Sequence, residues 1–153
     1  MTIKITQIKQ QTDFPQTLSK EQFIDFLYKN LQQYRDSKQD ITKAVDYAFS
    51  HEKGKGGFLL AAFENTTAVG ELVINDSGMS GYIPEHVLVY IAVPPNSRGN
   101  GIGKKLIQKA IELCDGDISL HVEYDNPAFE VYKKMGFTTK YAEMRFKNQE
   151  KNK

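Results

Sequence analysis

The chain has 153 residues, 40% of them hydrophobic, with 20 Lys plus Arg against 19 Asp plus Glu. That is about one domain's length, and a chain of this size buries roughly 68 to 70% of the surface its unfolded form exposes, so a core needs no disulfide or metal. A net charge of +1 disfavours a polyanion binder, the single Cys114 excludes an internal disulfide or thiolate cluster, and no apolar run approaches the roughly 20 residues of a membrane span.

Ile3, Ile5 and Ile8 alternate with polar neighbours and predict an opening strand with one buried face. No signal-peptide core is present between Met1 and Gln7, and the expectation is a soluble cytoplasmic protein. Ser19 with Gln22 three residues later resembles a capping box, and Phe23, Phe26, Leu27, Leu31 and Tyr34 follow at helical spacing. Ile41, Ala44, Val45, Ala48 and Phe49 predict a second helix after Asp40, ending before Gly54. Phe58 to Phe63 and Ala68 to Ile74 read as a hairpin split by a polar turn, and Asp76 to Gly81 as a loop. His86 to Val93 is apolar almost throughout, as expected of a central strand covered on both faces, and Pro94-Pro95 ends it.

Leu106, Ile107, Ala110, Ile111 and Leu113 restore the helical period. A strand at Ile118 to Val122, a short helix from Pro127 and a last strand from Phe137 to Phe146 complete the order. Strands with helices between them imply an α/β or α+β sheet. Residues 1–146 read as a single domain and 147–153 as a charged, disordered tail.

The most informative stretch runs from the central strand through Arg98-Gly99-Asn100-Gly101-Ile102-Gly103-Lys104-Lys105 into a helix. Glycines at alternate positions permit unusual backbone angles and close approach of a ligand, and the free amides at a helix N-terminus suit phosphate oxygens. Two familiar phosphate loops do not fit. A P-loop needs Gly where Arg98 stands and Ser or Thr where Lys105 stands, and a dinucleotide fingerprint from Gly101 needs Gly at Leu106. A glycine-rich turn with a structural helix cap is the alternative.

Arg98-x-x-Gly101-x-Gly103 resembles the Arg/Gln-x-x-Gly-x-Gly/Ala motif of the GNAT superfamily of N-acetyltransferases, here after an apolar strand closed by Pro. Downstream, Asn126-Pro-Ala128-Phe129, then Tyr132, then Gly136-Phe137 is similar to the family's second motif, in the expected order. Specific likeness covers about Val87 to Phe137. The resemblance implies a mixed, mostly antiparallel twisted sheet flanked by helices, with a splayed parallel strand pair forming the acetyl-CoA site. It implies that the backbone of Ile91, Ala92 and Val93 meets pantetheine. The amides of Arg98, Gly99, Asn100, Gly101, Ile102, Gly103 and Lys104 would hold pyrophosphate, aided by the Arg98 and Lys104 charges. Asn126 would hydrogen-bond the pantetheine arm, and Phe129 would be a further cofactor-binding residue. Plain surface charge explains Lys104 and Lys105 as well, and an N-cap role explains Asn126 as well.

By the same resemblance Tyr132 faces the leaving thiolate as acid or hydrogen-bond donor, a half-buried aromatic beside Phe129 being the other reading. The base is left unassigned: many relatives carry Glu where this chain has Val87. Glu85, His86, Glu71 and Tyr90 are the alternatives. His51, His86 and His121 lack metal-ligand spacing, so no metal is expected, and Cys114 reads as a small buried residue. The activity implied is direct acetyl transfer from acetyl-CoA to a primary amine, small-molecule or peptide, with no nucleic-acid or membrane partner; a homodimer is left open. A CoA-binding regulatory or interaction module without turnover is the alternative. Glu71, Asp76, Glu85, Glu123 and Asp125 are the carboxylates available to attract a cationic acceptor, whose identity the sequence does not carry.

Overall fold

A computed structural model describes residues 2–149. The chain divides into two compact units, one ending at Leu120 and the other beginning at His121.

The first unit opens with strand β1 (Lys4–Ile8). Helix α1 (Lys20–Asn30) starts at the expected capping box: Ser19 Oγ accepts from the Gln22 N–H at 3.0 Å, and Gln22 Oε1 accepts from the Ser19 N–H at 2.8 Å. Gln32 then takes a left-handed φ of +55°, which a continuing α-helix does not admit, so Tyr34 lies in a 3-10 turn (Gln32–Tyr34) rather than on the helix. Helix α2 (Lys38–Ala48) begins before the expected Asp40, because Ser37 Oγ caps it by accepting from the Asp40 N–H at 3.1 Å. Strands β2 (Gly57–Glu64), β3 (Thr67–Asp76) and β4 (His86–Ala92) follow, then helix α3 (Ile102–Leu113) and strand β5 (Ile118–Leu120).

These strands form one sheet in the order β1-β2-β3-β4-β5, antiparallel except for the parallel β4–β5 pair. The expected mixed sheet flanked by helices is therefore present. One face carries α1 and α2, where Phe23, Leu27, Ile41 and Val45 pack with Ile8, Leu59, Ala61 and Val73. The other face carries α3, and Gly70 sets how closely it sits: a Cβ there would lie 2.8 Å from both Ile102 Cγ2 and Leu106 Cδ1.

A bulge changes which residues of β4 face which layer. Val73 pairs with Tyr90 but Ile74 pairs with Leu88, so Val89 is the extra residue. Period-two alternation puts His86, Leu88 and Tyr90 on one face; the bulge instead turns Tyr90 and Ala92 toward α1 and α2, where both join the core. Val87, Val89 and Ile91 are half-buried, so the strand is less completely covered than its apolar run predicts.

The second unit holds helix α4 (Ala128–Lys134). Two expectations are corrected at this end of the chain. The strand expected to reach Val122 stops at Leu120, and the strand expected from Phe137 to Phe146 is absent, residues 137–148 being irregular. Alternating side chains supply a face, but a strand exists only where a neighbour completes its ladder of hydrogen bonds. Here Tyr141, Met144 and Phe146 stand 83 to 91% exposed. The predicted tail lies, from position 150 on, outside the described residues. No helix among the described residues is long and apolar enough to cross a membrane.

Candidate functional site

The glycine loop follows β4 directly. Pro94 and a 3-10 turn (Pro95–Ser97) carry the chain out of the sheet, and Arg98 folds back so that its Nε donates to the Val93 carbonyl at 2.9 Å. Arg98 thus ties the loop to the end of the strand. Asn100 Nδ2 donates to the Ser97 carbonyl at 3.2 Å and stiffens the turn. Gly99 and Gly101 take left-handed φ values of +84° and +75°, with nothing within 4 Å of where a Cβ would stand. Gly103 differs from the sequence expectation: it is an ordinary residue of the first turn of α3.

Gly101 is the N-cap of α3 and has no side chain to cap it, while its carbonyl accepts from the Lys105 N–H at 3.0 Å. The amides of Ile102, Gly103 and Lys104 precede the first intrahelical acceptor, so they point out of the helix beside the exposed Gly99 and Asn100. Ile102 is buried and roots the turn in the core; Lys104 and Lys105 are exposed. Open backbone, uncapped amides and nearby cations together fit a pyrophosphate.

The parallel pair supplies the second feature. Pairing between β4 and β5 runs only from His86–Ile118 to Leu88–Leu120, whereas β4 continues to Ala92. Beyond Leu88, β4 therefore runs on without a β5 partner, and Ile91, Ala92 and Val93 lie between this opening and the loop.

The second unit is described by itself. Asn126 Oδ1 accepts from the Ala128 N–H at 2.9 Å, so its side chain caps the start of α4 from one residue ahead of Pro127. Phe129 tilts against Tyr124 at 6.2 Å, with the Lys133 ammonium 5.8 Å from its ring. Tyr132 is buried, its ring edge-on to Phe137 at 5.7 Å, and burial pushes its hydroxyl up to about 12. A phenol so shifted donates a hydrogen bond throughout the neutral range without ionising.

The remaining titratable candidates separate by their partners. The backbone N–H groups of Asp117 and Gly81 donate to Glu85 at 2.7 and 3.1 Å and hold its carboxyl below the ordinary range, which makes it a loop clasp. His86 sits between carboxylates, Nδ1 at 2.8 Å from Asp76 and Nε2 at 3.0 Å from Asp115. Both lie at the start of β4, the end away from the loop. A hollow of about 600 Å3 opens beside them, lined by His51, Asp76, His86 and Asp115 among others, and it does not include the loop. Cys114 is half-buried and its thiol is pushed up to about 12, first by desolvation and then by Asp76 and Asp115, so no thiolate is available. Tyr90 donates to Asp36 Oδ2 at 2.5 Å, a pairing of strand and α1–α2 connection that no sequence signal marks.

Glu71 stands apart. It is fully buried in the middle of β3, and neither carboxyl oxygen has a hydrogen-bond partner. Burial raises its carboxyl well above the ordinary range, because desolvation disfavours the charged form. A buried unpaired polar group costs about 1 to 3 kcal/mol. Among the described residues no group of three or more His, Cys, Asp or Glu is placed to hold a metal ion.

Residues 19–137 match the family model of the acetyltransferase (GNAT) family. No curated protein sequence matches the chain. Among solved structures, a possible acetyltransferase from Clostridium difficile 630 is similar with a TM-score of 0.68 at 16% identity, covering 95% of this chain and 97% of that one. An integron cassette protein from the mobile metagenome of V. cholerae gives 0.67 at 19% identity, over 99% and 96%. An aminoglycoside acetyltransferase from an uncultured soil metagenomic sample gives 0.67 at 18% identity, over 97% and 99%. At these identities the structures share the fold, and the family model supplies the rest. With its glycine loop at the head of α3, its parallel pair opening beyond Leu88 and a match over residues 19–137, the chain belongs to the GNAT family of acetyltransferases.

Proposed function

We propose that this chain moves the acetyl group of acetyl-CoA directly to a primary amine. The observation that carries the reading is the glycine loop: uncapped amides at the head of α3 and two left-handed glycines with open space around them, next to the unpaired end of β4. Bound there, acetyl-CoA supplies a thioester carbonyl open to attack by an amine and a thiolate leaving group. The amides of residues 98–104 would bind pyrophosphate, with Lys104 adding charge and Arg98 holding the loop on Val93. Ile91, Ala92 and Val93 would align pantetheine along the strand end.

The family resemblance assigns Asn126 to the pantetheine arm, Phe129 to the cofactor and Tyr132 to the leaving sulfur. A hydroxyl near 12 set against a thiol near 8.5 makes full proton transfer uphill by roughly 5 kcal/mol, so Tyr132 acts by donating a hydrogen bond. Neighbours of this fold include the soil aminoglycoside acetyltransferase and a ribosomal-protein-alanine N-acetyltransferase from Brucella melitensis, two acceptor classes that guide the choice of amines. The test is release of CoA thiol across a panel holding an aminoglycoside, a polyamine and a peptide N-terminus, beside calorimetry of acetyl-CoA binding. Release that depends on the amine is expected. Binding without release favours the alternative, a CoA-binding module, for which Val87 in place of the family's strand Glu is the supporting observation.

A further inference from the structure

Glu71 lies cross-strand from Ala92 on β4 and from Ala61 on β2, and both alanines belong to the core under α1 and α2. Its side chain therefore points into that layer, on the face to which the Val89 bulge also turns Tyr90 and Ala92. Directly opposed side chains of an antiparallel pair stand about 5 Å apart, so Glu71 is next to the strand end assigned above to pantetheine. Among the described residues its two oxygens are the only fully buried side-chain polar atoms without a hydrogen-bond partner. Nothing in the fold uses them, and an apolar side chain there would pack without the cost.

We propose that Glu71 receives the acceptor amine, its carboxylate pairing with the ammonium and taking the proton that must leave nitrogen before attack. An ammonium offers what the site lacks, a positive charge and N–H donors for both oxygens. As the ammonium pairs with Glu71 the carboxyl's own proton goes to water, leaving the carboxylate; one proton then passes from nitrogen to a Glu71 oxygen and frees the lone pair. The C–N bond forms as the C–S bond breaks, sulfur keeps the bonding electrons and takes the second nitrogen proton, and Glu71 returns its proton to water.

The α1–α2 connection, residues 31–37, is fastened to this face by the Tyr90–Asp36 hydrogen bond and contains the left-handed Gln32. On this face Tyr90 is paired with Asp36, and Asp40 of α2 also acts on Tyr90; desolvation alone acts on Glu71 itself.

The inference rests on the acetyltransferase reading, and the experiment separates the two. Wild type and Glu71→Gln are assayed with spermidine, kanamycin and Ala-Ala amide, whose amines ionise from about 8 to above 10, alongside calorimetry of acetyl-CoA and thermal melts from pH 5 to 9. The expected result is a loss of about 100-fold or more in kcat/KM for every accepted amine, with acetyl-CoA affinity unchanged. Wild-type profiles should share one acid-side inflection, absent from the variant. The melts supply a readout apart from activity. Because the folded-state carboxyl is raised, the native protein holds the proton longer than the unfolded chain, and wild-type stability declines as pH rises past the unfolded value near 4.5. The amide does not titrate, so the variant should melt at or above wild type, by a margin that grows with pH.

A variant within about threefold of wild type, with inflections that follow each amine, overturns the role of Glu71 and leaves the acetyltransferase standing. Wild type that binds acetyl-CoA yet releases no thiol with any amine overturns both. If the variant does not fold, the wild-type profiles decide: a shared inflection supports Glu71, one that moves with the amine overturns it.

Discussion

Tyr132 and Glu71 show opposite uses of burial. For Tyr132 desolvation keeps the hydroxyl protonated up to about 12, which preserves a donor. For Glu71 the same desolvation raises the carboxyl and disfavours its charged form. Tyr132→Phe retains the ring and its packing on Phe137 and removes only the donor. Steady-state kinetics should show turnover falling by about 10²-fold, the low end for acid catalysis, with acetyl-CoA affinity unchanged. An active Phe variant removes Tyr132 from the chemistry. Both residues are visible in the sequence as residue types, but only Tyr132 stands in a motif. Glu71 is an acidic residue in an apolar strand, and its lack of partners emerges only once β2, β4 and the helices close around it.

At the scale of elements, the loop and α3 act together. Gly101 carries φ +75° at the N-cap, where a β-branched residue costs about 1 to 2 kcal/mol and adds bulk beside the free amides. Gly101→Val should fold, melt slightly earlier and bind acetyl-CoA at least about tenfold more weakly by calorimetry. Undiminished binding would take the loop out of the cofactor site. Gly70 controls the seat of α3 from the opposite strand. Adding a methyl there meets Ile102 and Leu106 at 2.8 Å, and overpacking of this kind costs about 1 to 3 kcal/mol. Urea unfolding of Gly70→Ala should show that loss. A neutral outcome would mean that α3 shifts freely on the sheet.

Across the whole molecule, backbone order and side-chain exposure predict where a protease enters. Tyr82, Tyr124, Tyr141 and Phe146 are 82 to 90% exposed on irregular backbone, whereas Phe23, Phe58, Phe63 and Tyr90 are buried in helix or sheet. Limited chymotrypsin digestion read by mass spectrometry should cut first at the former group and spare the latter. Early cleavage at Phe58 or Tyr90 would contradict the five-strand sheet. The balanced charge of 20 basic and 19 acidic residues means that no global field directs a ligand, so recognition falls to local features such as the loop amides.

Those local features are what the sequence by itself determined. The capping box at Ser19, the hairpin of β2 and β3, the glycine loop and the order of the two motifs depend on neighbours a few residues apart, and short-range geometry leaves them little choice. The tertiary structure decided what depends on pairing. Val89 became a bulge because β3 and β4 settle in a register that leaves it unmatched, and that reversed the face of Tyr90 and Ala92. The strand expected over 137–146 did not form because alternation supplies side chains but no partner. Glu71 became a buried, unpartnered carboxyl because three strands and two helices converge on it. Register and burial are sums over contacts between residues far apart in the chain, and a pattern within one segment cannot contain them.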